Sequence, residues 1–216
     1  MSKSKKMAMS ISIAALFWFS LSALALSQGG EMGGGPPLPE KEALKKSREI
    51  SADFSNELQN SFSSFMTEEN YLIAIEGYSN TAQQITQAFR DQTGYYLKRV
   101  SLRYRNPANA PDPYEKSALT RFETLNKAGK ITGRYDSYEV TVEKGRKYLR
   151  YMKPLTTDKA CLKCHGGKND IPEEVKGFLK ANYPQDAAMD FRVGSVRGAV
   201  SIKIPLTAEK GKPLKK

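Results

Sequence analysis

The chain has 216 residues, 34 lysines and arginines against 23 acids, a formal net charge of +11 and 39% hydrophobic residues. That is enough apolar material for one domain with a proper core and too little length for two. Two cysteines and one histidine are its only soft metal-binding side chains. Residues 1–27 read as a secretory signal: Lys3, Lys5 and Lys6 precede an apolar run from Met7 to Leu26, with small residues for cleavage after Ala25 or Ser27. The run is as long as a membrane span, so an uncleaved anchor is the alternative, and with it an N-terminal membrane tether. Cleavage removes three lysines and no acid, taking the charge from +11 to about +8. An exported chain, placed in the periplasm, excludes nucleic acid as the partner of that charge. The basic residues also interleave with acids, as in "EKEALKKSREISADFSNE", which marks a solvated surface.

Residues 28–38, within "QGGEMGGGPPLPE", form a Gly/Pro-rich linker, and residues 207–216 a basic tail. Between them, residues 39–206 form the folded domain. From Pro39, Leu44, Ile50, Phe54, Leu58, Phe62 and Phe65 recur mostly at three- and four-residue steps, which predicts a long amphipathic helix. Tyr71, Ala74, Ile75, Tyr78, Ala82, Ile85 and Phe89 predict a second, ended by Gly94. "YYLKRVSLRY" alternates as a strand, "RNPANAPDPYE" is loop, and "YEKSALTRFETLN" returns to helical spacing. "GRYDSYEVTVE", a Lys-Gly turn and "RKYLRYMKPL" predict a hairpin. A short helix in "IPEEVKGFLKANYP" and a strand in "RGAVSIKIPL" follow. Helices first and hairpin-linked strands later predict an α+β fold with an antiparallel sheet.

Both cysteines and the histidine fall within "TTDKACLKCHGGKND", as Cys161, Cys164 and His165. Cys-x-x-Cys-His is the attachment signature of haem c. On a helical turn, positions i, i+3 and i+4 share a face, so both thiols reach the two vinyl groups while the imidazole bonds the iron. Cys161 and Cys164 are thereby the expected thioether anchors of one covalent haem c, and His165 its proximal ligand. Zinc would lack a fourth ligand, and a redox dithiol would want a βαβ context. A disulfide across three residues closes too small a loop to stabilise much.

Beyond this motif, "VSLRYRNPANAPDPYE", "MKPLTTDKACLKCHG" and "YPQDAAMDFRVGSVRGAVSIKIP" resemble the PAS-like c-type haem domain first described in a cyanobacterial photosystem-associated protein. That domain also occurs in periplasmic sensor regions of chemotaxis receptors and kinases. The resemblance covers residues 40–206 and implies a PAS-like fold, with haem c held between sheet and helices in a redox or sensing role. It also implies that the "NPANAP" loop lines the pocket and that Tyr183, Pro184 and Gly198 shape the chain around the porphyrin. Members of the family often carry a cysteine in the second helix, in a segment like "AIEVC", as the second axial ligand. Here the segment is "AIEGYS", with Gly77 and Tyr78 at those places.

With no second histidine and both cysteines in thioethers, the sixth position has three options. Tyr78 binds it, or one of Met66, Met152 and Met189 does, or it stays vacant. Tyr78 also lies on the apolar stripe of its helix, so a distal-pocket role is the competing expectation. Arg99, Arg103 and Arg105 alternate on the predicted strand and lead into Asn106, a set suited to haem propionates or pocket contacts. The first functional reading is an exported monohaem protein in electron transfer or redox sensing, with a redox partner protein of acidic surface steered by the net charge. The alternative is a sensor of a diatomic gas or small ligand that signals through a separate partner, since no output domain follows residue 216. A haem peroxidase is the weakest reading, because no distal histidine is left as acid and base.

Overall fold

A computed structural model describes residues 34–66 and 70–208. The signal, most of the linker and most of the basic tail therefore lie outside the described residues. Helix α1 spans Glu40–Phe65, with Glu40 and Glu42 in its first turn where acids suit the helix dipole. Its buried positions are Ala43, Ser47, Ile50, Ser51, Phe54 and Leu58. Small residues thus share the apolar stripe, and Ser47 hides its donor by bonding the Ala43 carbonyl at 2.8 Å. Helix α2, Tyr71–Thr93, starts at Asn70, whose side chain accepts the Ile73 N–H. It ends at Gly94, which takes the left-handed φ of 69°. The two helices pack together, and the Phe65 ring lies against Gly77 where any Cβ would collide with it.

Strands β1 (Tyr96–Val100), β2 (Ser137–Glu143), β3 (Arg146–Thr156) and β4 (Val196–Pro205) form one sheet in the order β1-β4-β3-β2. Every pairing is antiparallel. The predicted Lys-Gly turn joins β2 to β3 with positive φ at Lys144 and Gly145. Alternation sorts the side chains. Leu97, Leu149, Tyr151, Val200, Ile202 and Ile204 face Phe54, Leu58 and Ala82 of the helix pair. Val100, Met152 and Ala199 face Ala118, Leu119 and Phe122 of helix α3, Pro113–Lys127. The sheet therefore lies between the α1/α2 layer and α3, and the predicted α+β class holds.

Helix α3 opens on a reciprocal cap between Asp112 and Glu115. Glu115 is fully buried; it accepts from the Tyr96 hydroxyl at 3.0 Å and lies 3.6 Å from Arg150. Arg150 also meets Asp112 at 2.6 Å and Glu143 at 3.2 Å, so this buried cation is matched by carboxylates.

One expectation fails. The strand predicted through "YYLKRVSLRY" stops at Val100, so Arg103 and Arg105 do not share a strand face with Arg99. At that point Gly198 of β4 comes so close to the Val100 carbonyl that no Cβ fits between them. Ser101 follows at once. Its hydroxyl donates to the Arg197 carbonyl at 2.7 Å and accepts the Arg103 N–H at 3.2 Å, which bends the chain out of the sheet.

Phe54 is 0% exposed at the centre of the α1/α2 layer. Phe54→Ala is expected to cost about 3–5 kcal/mol, read as a lowered urea midpoint of the mature protein.

Candidate haem-binding site

The whole Cys-x-x-Cys-His segment lies in the long connection from β3 to β4. That connection leaves and returns through one neck, where the Thr157 N–H bonds Ser195 and the Gly194 N–H bonds Thr157. Just inside it, the Asp158 side chain accepts the Cys161 N–H at 3.1 Å. Cys161 has helical backbone angles and starts the single turn α4, Leu162–His165. The His165 N–H reaches the Cys161 carbonyl at 2.9 Å, so Cys161, Cys164 and His165 stand on one face of a real helical turn.

The two sulfurs are not bridged to each other. Burial pushes the Cys161 thiol up to about 11 and raises Cys164 as well. An activated redox dithiol needs the opposite shift. Among the described residues, no three His, Cys, Asp or Glu side chains converge as a bare metal ion would require.

His165 is oriented from behind. Its Nδ1 lies 2.8 Å from the Ala188 carbonyl oxygen. A carbonyl only accepts, so Nδ1 carries the proton and Nε2 keeps the free lone pair that binds metals. Burial, with Arg197 and Arg105 beside it, holds the imidazole well below its usual pKa and therefore neutral. The Phe191 ring meets it edge-on with centroids 6.2 Å apart. Helix α5, Glu173–Asn182, packs on α2 through Ile75, Val175 and Leu179, with Cys164 against the same cluster.

Two of the three arginines singled out from the sequence brace this loop. Arg105 bonds Asp186 at 2.9 Å and the Cys164 carbonyl at 2.6 Å, tying the attachment turn to the chain that follows α5. Arg103 bonds the Met189 carbonyl at 2.8 Å and stacks on Phe191 at 3.7 Å. Arg99 stays on β1 and faces α2, where it lies beside the Tyr78 hydroxyl. The Tyr78 ring packs edge-on against Phe62 at 5.3 Å, and burial raises its pKa against the pull of Arg99. Cys161 and Arg197 act on the same phenol. Asn106 caps its own 3-10 turn, Pro107–Asn109, by accepting the Ala108 N–H at 2.9 Å.

The methionines separate. Met152 is fully buried in the α3-side core, and Met66 follows α1. Met189 packs against the Ile75, Val175 and Leu179 cluster that Cys164 also touches. Sequence reading missed Arg197, Asp186, Ala188 and Phe191, which act from the loop before β4 and from its first residues. None of them had a local signal: even Arg197 is one of two cations on its strand, with Lys203.

This arrangement suits the group that the motif calls for. Two protonated, unbridged thiols and a neutral imidazole share one face, and the Nε atoms of Arg99 and Arg197 are buried without a hydrogen-bond partner. Cys161 and Cys164 would hold the porphyrin, His165 the iron, and the arginines an acidic substituent.

Fold and site define an α+β domain of PAS-like layout carrying a haem-attachment motif between two neighbouring strands. The chain belongs to the Tll0287-like family, whose model matches residues 38–205. Its fold is similar to the crystal structure of the cyanobacterial haem protein Tll0287, with a TM-score of 0.60 and 24% identity. The match covers 78% of this chain and 98% of that one. No curated protein matches the sequence.

Two measurements probe the loop. Arg105→Ala and Asp186→Ala should each destabilise the protein by about 3 kcal/mol, and the double variant by clearly less than the sum, in a double-mutant cycle of urea midpoints. The second concerns His165. Its folded pKa lies below its unfolded value, so the unfolded chain binds the extra proton and stability is lost as pH falls below about 6.5. In a haem-free chain carrying Cys161→Ser and Cys164→Ser, the urea midpoint should fall between about pH 7.5 and about pH 5.5 by a component that His165→Gln removes.

Proposed function

We propose that this chain is an exported monohaem protein that binds haem c through Cys161, Cys164 and His165 and works in electron transfer or redox sensing. The observation that carries the reading is the Nδ1–H bond from His165 to Ala188, which presents Nε2 on the same helical face as both thiols. Haem bound there supplies a one-electron couple. The chain's own residues do the rest. Asp158 sets Cys161 at the start of the turn, Arg105 fixes the Cys164 carbonyl, and Phe191 and Ala188 hold the imidazole plane. Helices α2 and α5 shield Cys164 from water.

The signal-like first 27 residues support export, since thioether attachment belongs outside the cytoplasm. They equally support a membrane tether where the apolar run is retained. A mature charge of about +8 favours an acidic redox partner, with an association rate that falls as salt rises.

A second reading has its own support. The sequence has no other histidine or cysteine, and Met152 is sealed in the opposite core. Tyr78 of α2, on which Cys161 also acts, is a phenol that burial keeps protonated. A neutral phenol is a weak ligand and a good hydrogen-bond donor. It favours an open or weakly held sixth position, where a diatomic gas or small ligand binds and is reported to a separate partner.

The test is the protein made in a host that attaches haem c. Mass spectrometry should show one covalent haem, lost when Cys161 and Cys164 are both replaced by serine. A Soret shift of the reduced protein with carbon monoxide supports the ligand-binding reading. A low-spin spectrum indifferent to the gas supports electron transfer, and wild-type protein without covalent haem overturns both.

A further inference from the structure

The four arginines around His165 are not equivalent. Arg103 and Arg105 spend their guanidinium groups on carbonyl oxygens, the Phe191 ring and Asp186. Arg197 uses Nη1 on the Ser101 hydroxyl at 2.9 Å and the Arg103 carbonyl at 3.1 Å, and its Nε is buried and unpartnered. Arg99 has Tyr78 and Tyr183 as neighbours, and its Nε is also orphaned. Neither is in an ion pair with a carboxylate among the described residues. Arg197 lies among Arg99, Arg103 and Arg105, with Asp186 the one acid acting on it.

An orphaned Nε alone points to nothing, because Arg150 has one too. Arg150, however, is met by Asp112, Glu115 and Glu143. The difference is the missing ion pair: Arg99 and Arg197 are half-buried with their Nε atoms closed to water, and neither has a carboxylate in direct contact among the described residues. Arg99 near the end of β1 and Arg197 near the start of β4 come from neighbouring antiparallel strands at the same end of the sheet. Both act on His165 and on Tyr78, so they border the space between helix α2 and the attachment turn.

We propose that Arg99 and Arg197 are the anchors of the two haem propionates, and that Arg103 and Arg105 are positioning residues for the loop that holds His165. The proposal rests on haem binding at Cys161, Cys164 and His165 and names the residues that receive the acidic edge of the group. It changes the set expected from the sequence: Arg197 enters, while Arg103 and Arg105 leave. The guanidinium fork is suited to a carboxylate, and two arginines with an unpartnered Nε match two carboxylates.

The test is redox-difference infrared spectroscopy of the full-length holoprotein carrying haem labelled with carbon-13 at its propionate carboxyls, with the midpoint potential measured on the same samples. R99Q and R197Q should each shift labelled carboxylate bands and lower the midpoint, because a positive charge next to the reduced group is lost. R121Q, at an exposed pair with Glu139, should change neither. R197K keeps the charge without the fork, so it should restore most of the midpoint and still shift the bands. Haem-loaded R197Q with wild-type bands and midpoint overturns the anchors alone. Where R197Q does not accumulate, wild-type bands in R197K do the same. Wild-type protein without covalent haem overturns the functional reading, and the anchors with it.

Discussion

One hydrogen bond sets the chemistry of this molecule, the one from His165 Nδ1–H to the Ala188 carbonyl. It decides the tautomer, and the tautomer decides which nitrogen faces outward. A backbone carbonyl does this more firmly than a side chain, because its position is set by the fold. Ala188 is itself held, its N–H bonding Asp186 at 2.8 Å while Asp186 pairs with Arg105. Arg105 then reaches back to the Cys164 carbonyl. A closed ring of contacts thus joins the attachment turn to the loop behind it, and no member moves without the others.

The rigid part of the fold lies elsewhere and makes that ring affordable. The helix pair, the sheet and α3 contain the large apolar side chains, from Phe54 and Leu97 to Phe122 and Ile204. The site sits on the connection between β3 and β4, two strands already locked in register over most of their length. Its neck is fixed by Thr157, whose hydroxyl bonds the Arg192 carbonyl at 2.5 Å. A long loop leaving and entering one end of the two central strands in this way places binding groups on a scaffold whose main apolar core lies elsewhere.

The elements were legible in the sequence because each carried its own period. The α1 and α2 stripes, the Gly94 stop and the Lys144–Gly145 hairpin turn all rest on local physics. The attachment turn was legible too, since spacing alone puts Cys161, Cys164 and His165 on one face. The arginines were not. Their alternation in "KRVSLRYR" matched a strand, but where the strand ends depends on Gly198, a residue nearly a hundred positions away whose missing side chain lets β4 crowd Val100. Long-range contacts of this kind leave no periodic trace. Arg197 went unmarked for the same reason: its role appears only when β4 lies beside β1 and brings it near Arg99.

The two faces of the sheet treat buried charge in opposite ways. On the α3 face, Arg150 and Lys203 meet Asp112, Glu115 and Glu143, and the account closes within the protein. On the α2 face, Arg99 and Arg197 are half-buried among tyrosines and other arginines, and desolvation with that crowding, against the pull of Asp186, draws Arg197 down to about 10. A domain able to satisfy buried cations on one side has no physical reason to leave them unmatched on the other unless the matching anion arrives with a ligand. The imbalance also acts on His165, where the same arginines disfavour a proton on the imidazole. One charge cluster thereby has two effects: it keeps the outward imidazole nitrogen unprotonated, and it concentrates positive charge that favours an acidic group.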